Sequence, residues 1–145
     1  MMEAKQIKNI EDEIIEEFSL FDDWMSKYEY IIELGKKLPL IDGIYKNESY
    51  EVKGCQSKVW LNAEMNNGKL FYKADSDAVI TKGIISLLIR VLSGHKPEDI
   101  ASADMDFINK IGLKEHLSPN RANGLNAMIN YMKKFASTYS KQNVN

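Results

Sequence analysis

Val59-Trp60-Leu61-Asn62-Ala63-Glu64-Met65-Asn66-Asn67-Gly68-Lys69-Leu70-Phe71-Tyr72-Lys73 is the stretch whose reading decides the fold. Val59, Leu61, Ala63 and Met65 alternate with Trp60, Asn62 and Glu64, the period of a strand with one buried side. Asn67-Gly68 then supplies the two residues best able to take positive φ, as a type I′ turn requires, and Lys69 to Lys73 is the returning strand. Glu51-Val52-Lys53, just upstream, reads as a third, short strand. The middle of the chain is therefore expected to be a small antiparallel three-stranded sheet.

Outward from the hairpin the period becomes helical. Ile7, Ile10, Ile14 and Phe18 recur on one side of a first helix, with Glu11, Asp12, Glu16 and Glu17 expected opposite. A second helix is expected from about Phe21 to Lys37, with Trp24, Tyr28, Ile31 and Ile32 as its apolar face, ended by Pro39 and Gly43. After the hairpin, Asp75-Ser76-Asp77 offers N-caps for a helix to about Ser93. Val79-Ile80 and Ile84 to Leu92 make that helix apolar nearly all round, apart from a stripe of Lys82, Ser86 and Arg90. Short helices follow from Pro97 and through Phe107, with Gly112 as a stop. Ser118-Pro119 opens a long last helix, buried through Leu125, Met128, Ile129, Met132, Phe135 and Tyr139. Helices flanking a compact meander make an α+β domain.

Length and composition fit one domain over residues 1–145, with a core from about 7 to 140 and frayed ends, the tail Gln142 to Asn145 included. A net charge of −2, with no basic block, gives no reason to expect nucleic acid. No apolar run reaches bilayer length, so no membrane association is expected; Gly83 to Leu92 is broken by Ser86 and Arg90. The polar start Met1-Met2-Glu3-Ala4-Lys5-Gln6 argues against a secretory signal, and with one cysteine the expected location is a reducing cytoplasm.

That cysteine, Cys55, lies in Gly54-Cys55-Gln56-Ser57-Lys58, where one strand ends and the next begins. A lone thiol closes no intramolecular disulfide and makes no Cys-rich metal site. Either it is a small buried hydrophobe or it reacts by itself, and the local residues leave both open. Gly54 permits a sharp turn, and Lys53 and Lys58 would favour the thiolate if they faced it. Arg121 falls in the first turn of the last helix, where the helix dipole disfavours a cation, so a second task for it is worth seeking. His95 reads as solvated in a turn, and His116 as closing the last helix's N-terminus. Asp75 and Asp77 read as capping carboxylates, and nothing supplies further ligands for a metal.

Four blocks in order resemble the SufE family of sulfur-acceptor proteins in iron–sulfur cluster assembly. They are Tyr28-Glu29-Tyr30-Ile31-Ile32-Glu33-Leu34-Gly35 with Leu38-Pro39; Gly54 to Leu61; Ala74 to Gly83; and His116 to Leu125. The resemblance implies a fold shared with IscU/NifU-type scaffolds. It also implies that Cys55 accepts sulfur as a persulfide from a SufS-type cysteine desulfurase, stimulates that enzyme, and delivers sulfur to a downstream Suf scaffold complex. On this reading the chain is a transfer protein and not an enzyme, and binds no cofactor, since pyridoxal phosphate stays on the desulfurase. The resemblance places Arg121 and Asp77 near the cysteine loop or partner surface; Arg121 is expected there to stabilise the thiolate or persulfide, and Gly54, Gln56, Ser57, Lys58 and Asp77 are expected as loop support or partner surface. Monomer and homodimer are both compatible. Thr81 and Lys58 depart from the valine and glutamine usual in the family. A one-cysteine peroxidase and a cluster scaffold are the competing classes, and the scaffold is disfavoured by having one thiolate.

Overall fold

The computed structural model describes residues 6–38 and 40–142, with side chains to residue 140; residues 1–5, Pro39 and the tail from Asn143 lie outside. Helix α1 (Ile7–Phe18) buries Ile7, Ile14 and Phe18 as its period predicts, but also Glu11. That carboxylate turns inward to accept the backbone N–H of Phe107 at 3.3 Å, which gives a buried charge a partner. Helix α2 (Trp24–Gly35) is shorter than expected. Asp23 sets its start by accepting the Ser26 N–H at 2.7 Å, which leaves Phe21 and Asp22 in the link between helices.

The hairpin forms as read. Strands β1 (Val59–Asn66) and β2 (Lys69–Ser76) pair antiparallel with Val59 opposite Ser76 and Ala63 opposite Tyr72. Asn67 and Gly68 turn the chain with φ of 53° and 79°. Among the described residues the sheet has two strands, not three. The expected third strand shrinks to a single bridge between Glu51 and Trp60, because a 3₁₀ turn (Glu48–Tyr50) precedes it and Gly54, at φ +94°, turns the chain away after it. Val52 still donates its N–H to the Val59 carbonyl at 2.8 Å. On the other edge, Leu40 makes one parallel bridge to Ala74.

β2 also runs further than predicted and absorbs Asp75 and Ser76, so these do not cap the next helix. Helix α3 (Val79–Leu92) has Ala78 at its N-cap position with no side-chain cap, and Ser76 Oγ accepts the Ala78 N–H at 3.2 Å instead. α3 is buried nearly all round, and its polar stripe fastens it to three neighbours. Lys82 pairs with Asp75 of β2 at 3.2 Å, and Ser86 donates to the Leu34 carbonyl of α2 at 3.0 Å. Arg90 forks onto Glu17 of α1, with Nη1 2.8 Å from Oε1 and Nη2 on Oε2, and the Tyr30 hydroxyl also donates to Glu17. Where α2 crosses α3 the backbones nearly touch. A Cβ on Gly83 would lie 2.2 Å from the Ile31 carbonyl oxygen, so only glycine fits there.

Short helices α4 (Pro97–Ser102), α5 (Phe107–Lys110) and α6 (Leu113–His116) lead to α7 (Pro119–Gln142). Ser118 Oγ accepts the Arg121 N–H at 3.3 Å, and Pro119 stands at the first helical position, where no N–H is missed. α7 buries Leu125, Met128, Met132 and Ala136, while Ile129, Phe135 and Tyr139 are half-buried. The Tyr72 hydroxyl donates to the Met132 carbonyl at 2.6 Å and ties α7 to the sheet. His95 is buried rather than solvated: its carbonyl accepts the Leu70 N–H at 2.9 Å, which draws its turn against β2, and burial lowers the imidazole's pKa.

Candidate functional site

Cys55 sits on a short loop held at both ends. Upstream the anchor is the Val52–Val59 hydrogen bond. Downstream it is the backbone of Lys58, whose N–H reaches Asp77 Oδ1 at 3.0 Å. The Lys58 carbonyl accepts both the Asp77 N–H at 3.2 Å and the Ser76 hydroxyl at 2.8 Å. Asp77 thus serves the cysteine loop and not the helix it precedes. Gly54 is favoured by its positive φ, and a Cβ there would also press on the Ala127 Cβ of α7 at 3.3 Å.

Between the anchors the half-buried thiol leans on α7. Its Sγ lies 3.6 Å from the Gly124 carbonyl oxygen, an acceptor already engaged by its helix. Beside it is a cavity of about 80 Å³ whose lining joins Cys55, Gln56 and Ser57 of the loop, Thr81 and Ile84 of α3, and Asn120, Arg121, Gly124 and Met128 of α7. Burial pushes the Cys55 pKa above the ordinary thiol value. The resting site is therefore a sheltered, protonated thiol beside a small chamber with a guanidinium at its rim.

Arg121 is exposed and donates from Nη1 to the Tyr28 hydroxyl at 3.3 Å. One turn earlier on α2, Trp24 stacks on His116, with ring centroids 4.3 Å apart and planes 14° from parallel. His116 Nδ1 lies 2.8 Å from the Gly112 carbonyl, so the histidine fastens the joint that leads into α7. Lys53 and Lys58 are exposed and line no part of the cavity. Asp75 belongs to a separate cluster, with Lys46 at 2.5 Å and Lys82 at 3.2 Å. Burial opposes its ionisation, but the two lysines and the Ser76 N–H hold its pKa below the ordinary aspartate value. Among the described residues no group of three or more His, Cys, Asp or Glu is arranged to hold a metal.

Of the residues singled out from sequence, Cys55, Gln56, Ser57 and Arg121 meet at the cavity, whereas Gly54, Lys58 and Asp77 frame the loop. Thr81, Ile84, Asn120, Gly124 and Met128 were not picked out as lining. Their spacing held the signal, since Asn120, Gly124 and Met128 step by four along one helix face.

The model of the SufE family, described as an Fe-S metabolism associated domain, matches residues 12–136. The chain belongs to the SufE family. A SufE-like protein of Rhizobium meliloti is 39% identical over 127 residues, covering 84% of this chain and 91% of that protein. A SufE-like protein of Synechocystis is 40% identical over 111 residues, covering 77% and 70%. The SufE-like protein 1 of Arabidopsis thaliana, named chloroplastic/mitochondrial, is 38% identical over 125 residues, 86% of this chain but 34% of that longer protein. In fold, the chain matches the solution structure of a hypothetical protein from Thermus thermophilus with a TM-score of 0.74 at 22% identity, covering 89% of this chain and 94% of that one. SufE membership places the chain in iron–sulfur metabolism. No helix among the described residues is long and apolar enough to cross a membrane.

Proposed function

We propose that this protein accepts sulfur on Cys55 as a persulfide from a SufS-type cysteine desulfurase, accelerates that enzyme, and hands the sulfur on to a Suf scaffold complex. The observation that supports it most is the placement of the chain's single thiol on a doubly anchored loop beside a chamber of about 80 Å³. In a SufE family member, that arrangement suits a cysteine that must be both sheltered and deliverable.

The transfer is a thiol exchange. Cys55 loses its proton as the loop leaves Gly124, and its thiolate attacks the outer sulfur of the partner's persulfide. One S–S bond forms as another breaks, the partner cysteine departs as thiolate, and the transferred sulfur keeps its proton until it ionises. No external oxidant or reductant is needed. With the loop closed again, the added sulfur extends about 2 Å beyond Sγ into the chamber. A second cysteine nearby would discharge the persulfide as disulfide, and the sequence has none. The protein is thus a carrier and activator rather than an enzyme, needs no cofactor of its own, and works in a reducing compartment such as the cytoplasm.

Intact mass spectrometry after incubation with a cysteine desulfurase, pyridoxal phosphate and L-cysteine tests this. Thiol-reversible gain of sulfur on the native chain but not on Cys55→Ser, with faster cysteine turnover, is expected. No gain with SufS-type or related desulfurases overturns the reading.

A further inference from the structure

We propose that Tyr28 is a positioning residue for sulfur transfer: its hydroxyl holds the Arg121 guanidinium at the chamber beside Cys55. This rests on the carrier reading above. The bond from Arg121 Nη1 to the Tyr28 oxygen, at 3.3 Å, joins the first turn of α7 to α2, which enters the chain about ninety residues earlier. Arg121 needs such a tether. It is exposed, stands where the helix dipole disfavours a cation, and carries several free torsions, so in isolation the guanidinium would spread into solvent.

Tyr28 is itself well placed to hold it. One turn away, Trp24 stacks on His116, and His116 is bonded to the Gly112 carbonyl. α2 therefore grips the chain on both sides of the joint that opens α7, at His116 through Trp24 and at Arg121 through Tyr28. The position of the guanidinium relative to the chamber follows from α2, and not from α7 alone.

The charge matters only after loading. A half-buried neutral thiol facing a carbonyl has no use for a counter-ion. A persulfide is a stronger acid than its parent thiol and carries its negative charge on the outer sulfur, the atom that enters the chamber where Arg121 stands. A tethered guanidinium keeps that sulfur ionised, and so a poor target for attacking thiolates, while the loop is closed.

The test compares the loaded native chain with Tyr28→Phe, Arg121→Ala and the double variant. It measures the rate at which dithiothreitol discharges the persulfide as a function of pH. Tyr28→Phe removes one oxygen and keeps the ring, and should discharge about fivefold faster, the worth of one hydrogen bond. The midpoint of its pH profile should shift upward, with the KM for the desulfurase unchanged. Arg121→Ala should shift further in the same direction, and adding Tyr28→Phe to it should change nothing more. A purely structural Tyr28 would give a Tyr28→Phe effect that persists undiminished in the Arg121→Ala background, which overturns the inference, as does a Tyr28→Phe profile equal to the native one. If the native chain takes up no sulfur at all, the carrier reading itself falls.

Discussion

The thiol of Cys55 faces the carbonyl of Gly124, 3.6 Å from sulfur to oxygen, so α7 holds the sulfur through an atom that can only accept a hydrogen bond. The contact favours S–H and disfavours S⁻, in the same direction as burial. In the closed loop the cysteine is protected by being protonated. On the carrier reading proposed above, its reactivity comes from leaving that position, a step a partner can control.

Alkylation shows this directly. With iodoacetamide, Cys55 in the free protein should react at least tenfold more slowly at neutral pH than an unstructured thiol, with its rate rising only above the ordinary thiol pKa of about 8.5. Stability should show the same linkage. The folded pKa lies above the unfolded one, so this contribution is complete below the unfolded pKa and is lost as pH rises through the folded value. Denaturant midpoints of Cys55→Ala should lack that alkaline decline.

Gly124 tests the shelter itself. A Cβ added there would sit 3.5 Å from the Cys55 Sγ, an ordinary contact, so Gly124→Ala should be tolerated. It should gain up to about 1 kcal/mol from improved helix propensity, read as a higher urea midpoint. Gly124→Leu cannot share the space, and should expel the loop and raise the alkylation rate by an order of magnitude or more.

The hairpin was legible because Asn67-Gly68 and the alternation around it are both local signals. The long α7 was legible for the same reason, through Ser118-Pro119. What sequence missed depended on who meets whom. Glu11 sits among acidic neighbours and reads as solvated, yet the Phe107 N–H, almost a hundred residues away, draws it inward. Asp75 and Ser76 have cap chemistry, but the pull of strand pairing opposite Val59 and Trp60 was stronger. Glu51 to Lys53 has strand composition but not the length to pair beyond one bridge. At the site, Cys55 was visible as the only thiol, and Arg121 as a cation at the wrong end of a helix. Their meeting at one cavity, and the Tyr28 tether, are tertiary facts that no local pattern encodes.

Asp77 ties the loop's downstream anchor from outside the cavity, through the bond from the Lys58 N–H at 3.0 Å. Asp77→Ala should cost about 1 kcal/mol of stability at most, since the bond is exposed. It should nevertheless speed Cys55 alkylation several-fold, because the loop's downstream end loses one of the bonds that fix it. Asp77→Asn keeps an acceptor at Oδ1 and should stay near the native rate. Equal rates for all three proteins would mean that the two bonds to the Lys58 carbonyl, from the Asp77 N–H and the Ser76 hydroxyl, suffice as an anchor.

Two glutamates on α1 should move stability in opposite directions with pH. Arg90's hydrogen bonds are the largest influence on Glu17 and lower its pKa, whereas burial is the largest influence on Glu11 and raises it. For Glu17 the stabilisation is present above the unfolded carboxylate pKa of about 4.3 and fades as pH falls through the lower folded value. For Glu11 it is present below the unfolded pKa and is lost as pH rises through the higher folded value. Urea titrations from acid to neutral pH separate the two. Glu17→Gln should be less stable than native by about 1 kcal/mol at pH 7, with the deficit closing in acid. Glu11→Gln keeps an acceptor for the Phe107 N–H without the buried charge, so its stability relative to native should rise as the pH is raised. Matching pH slopes for the two variants would contradict the inward placement of Glu11, and with it the packing of α1 against α5.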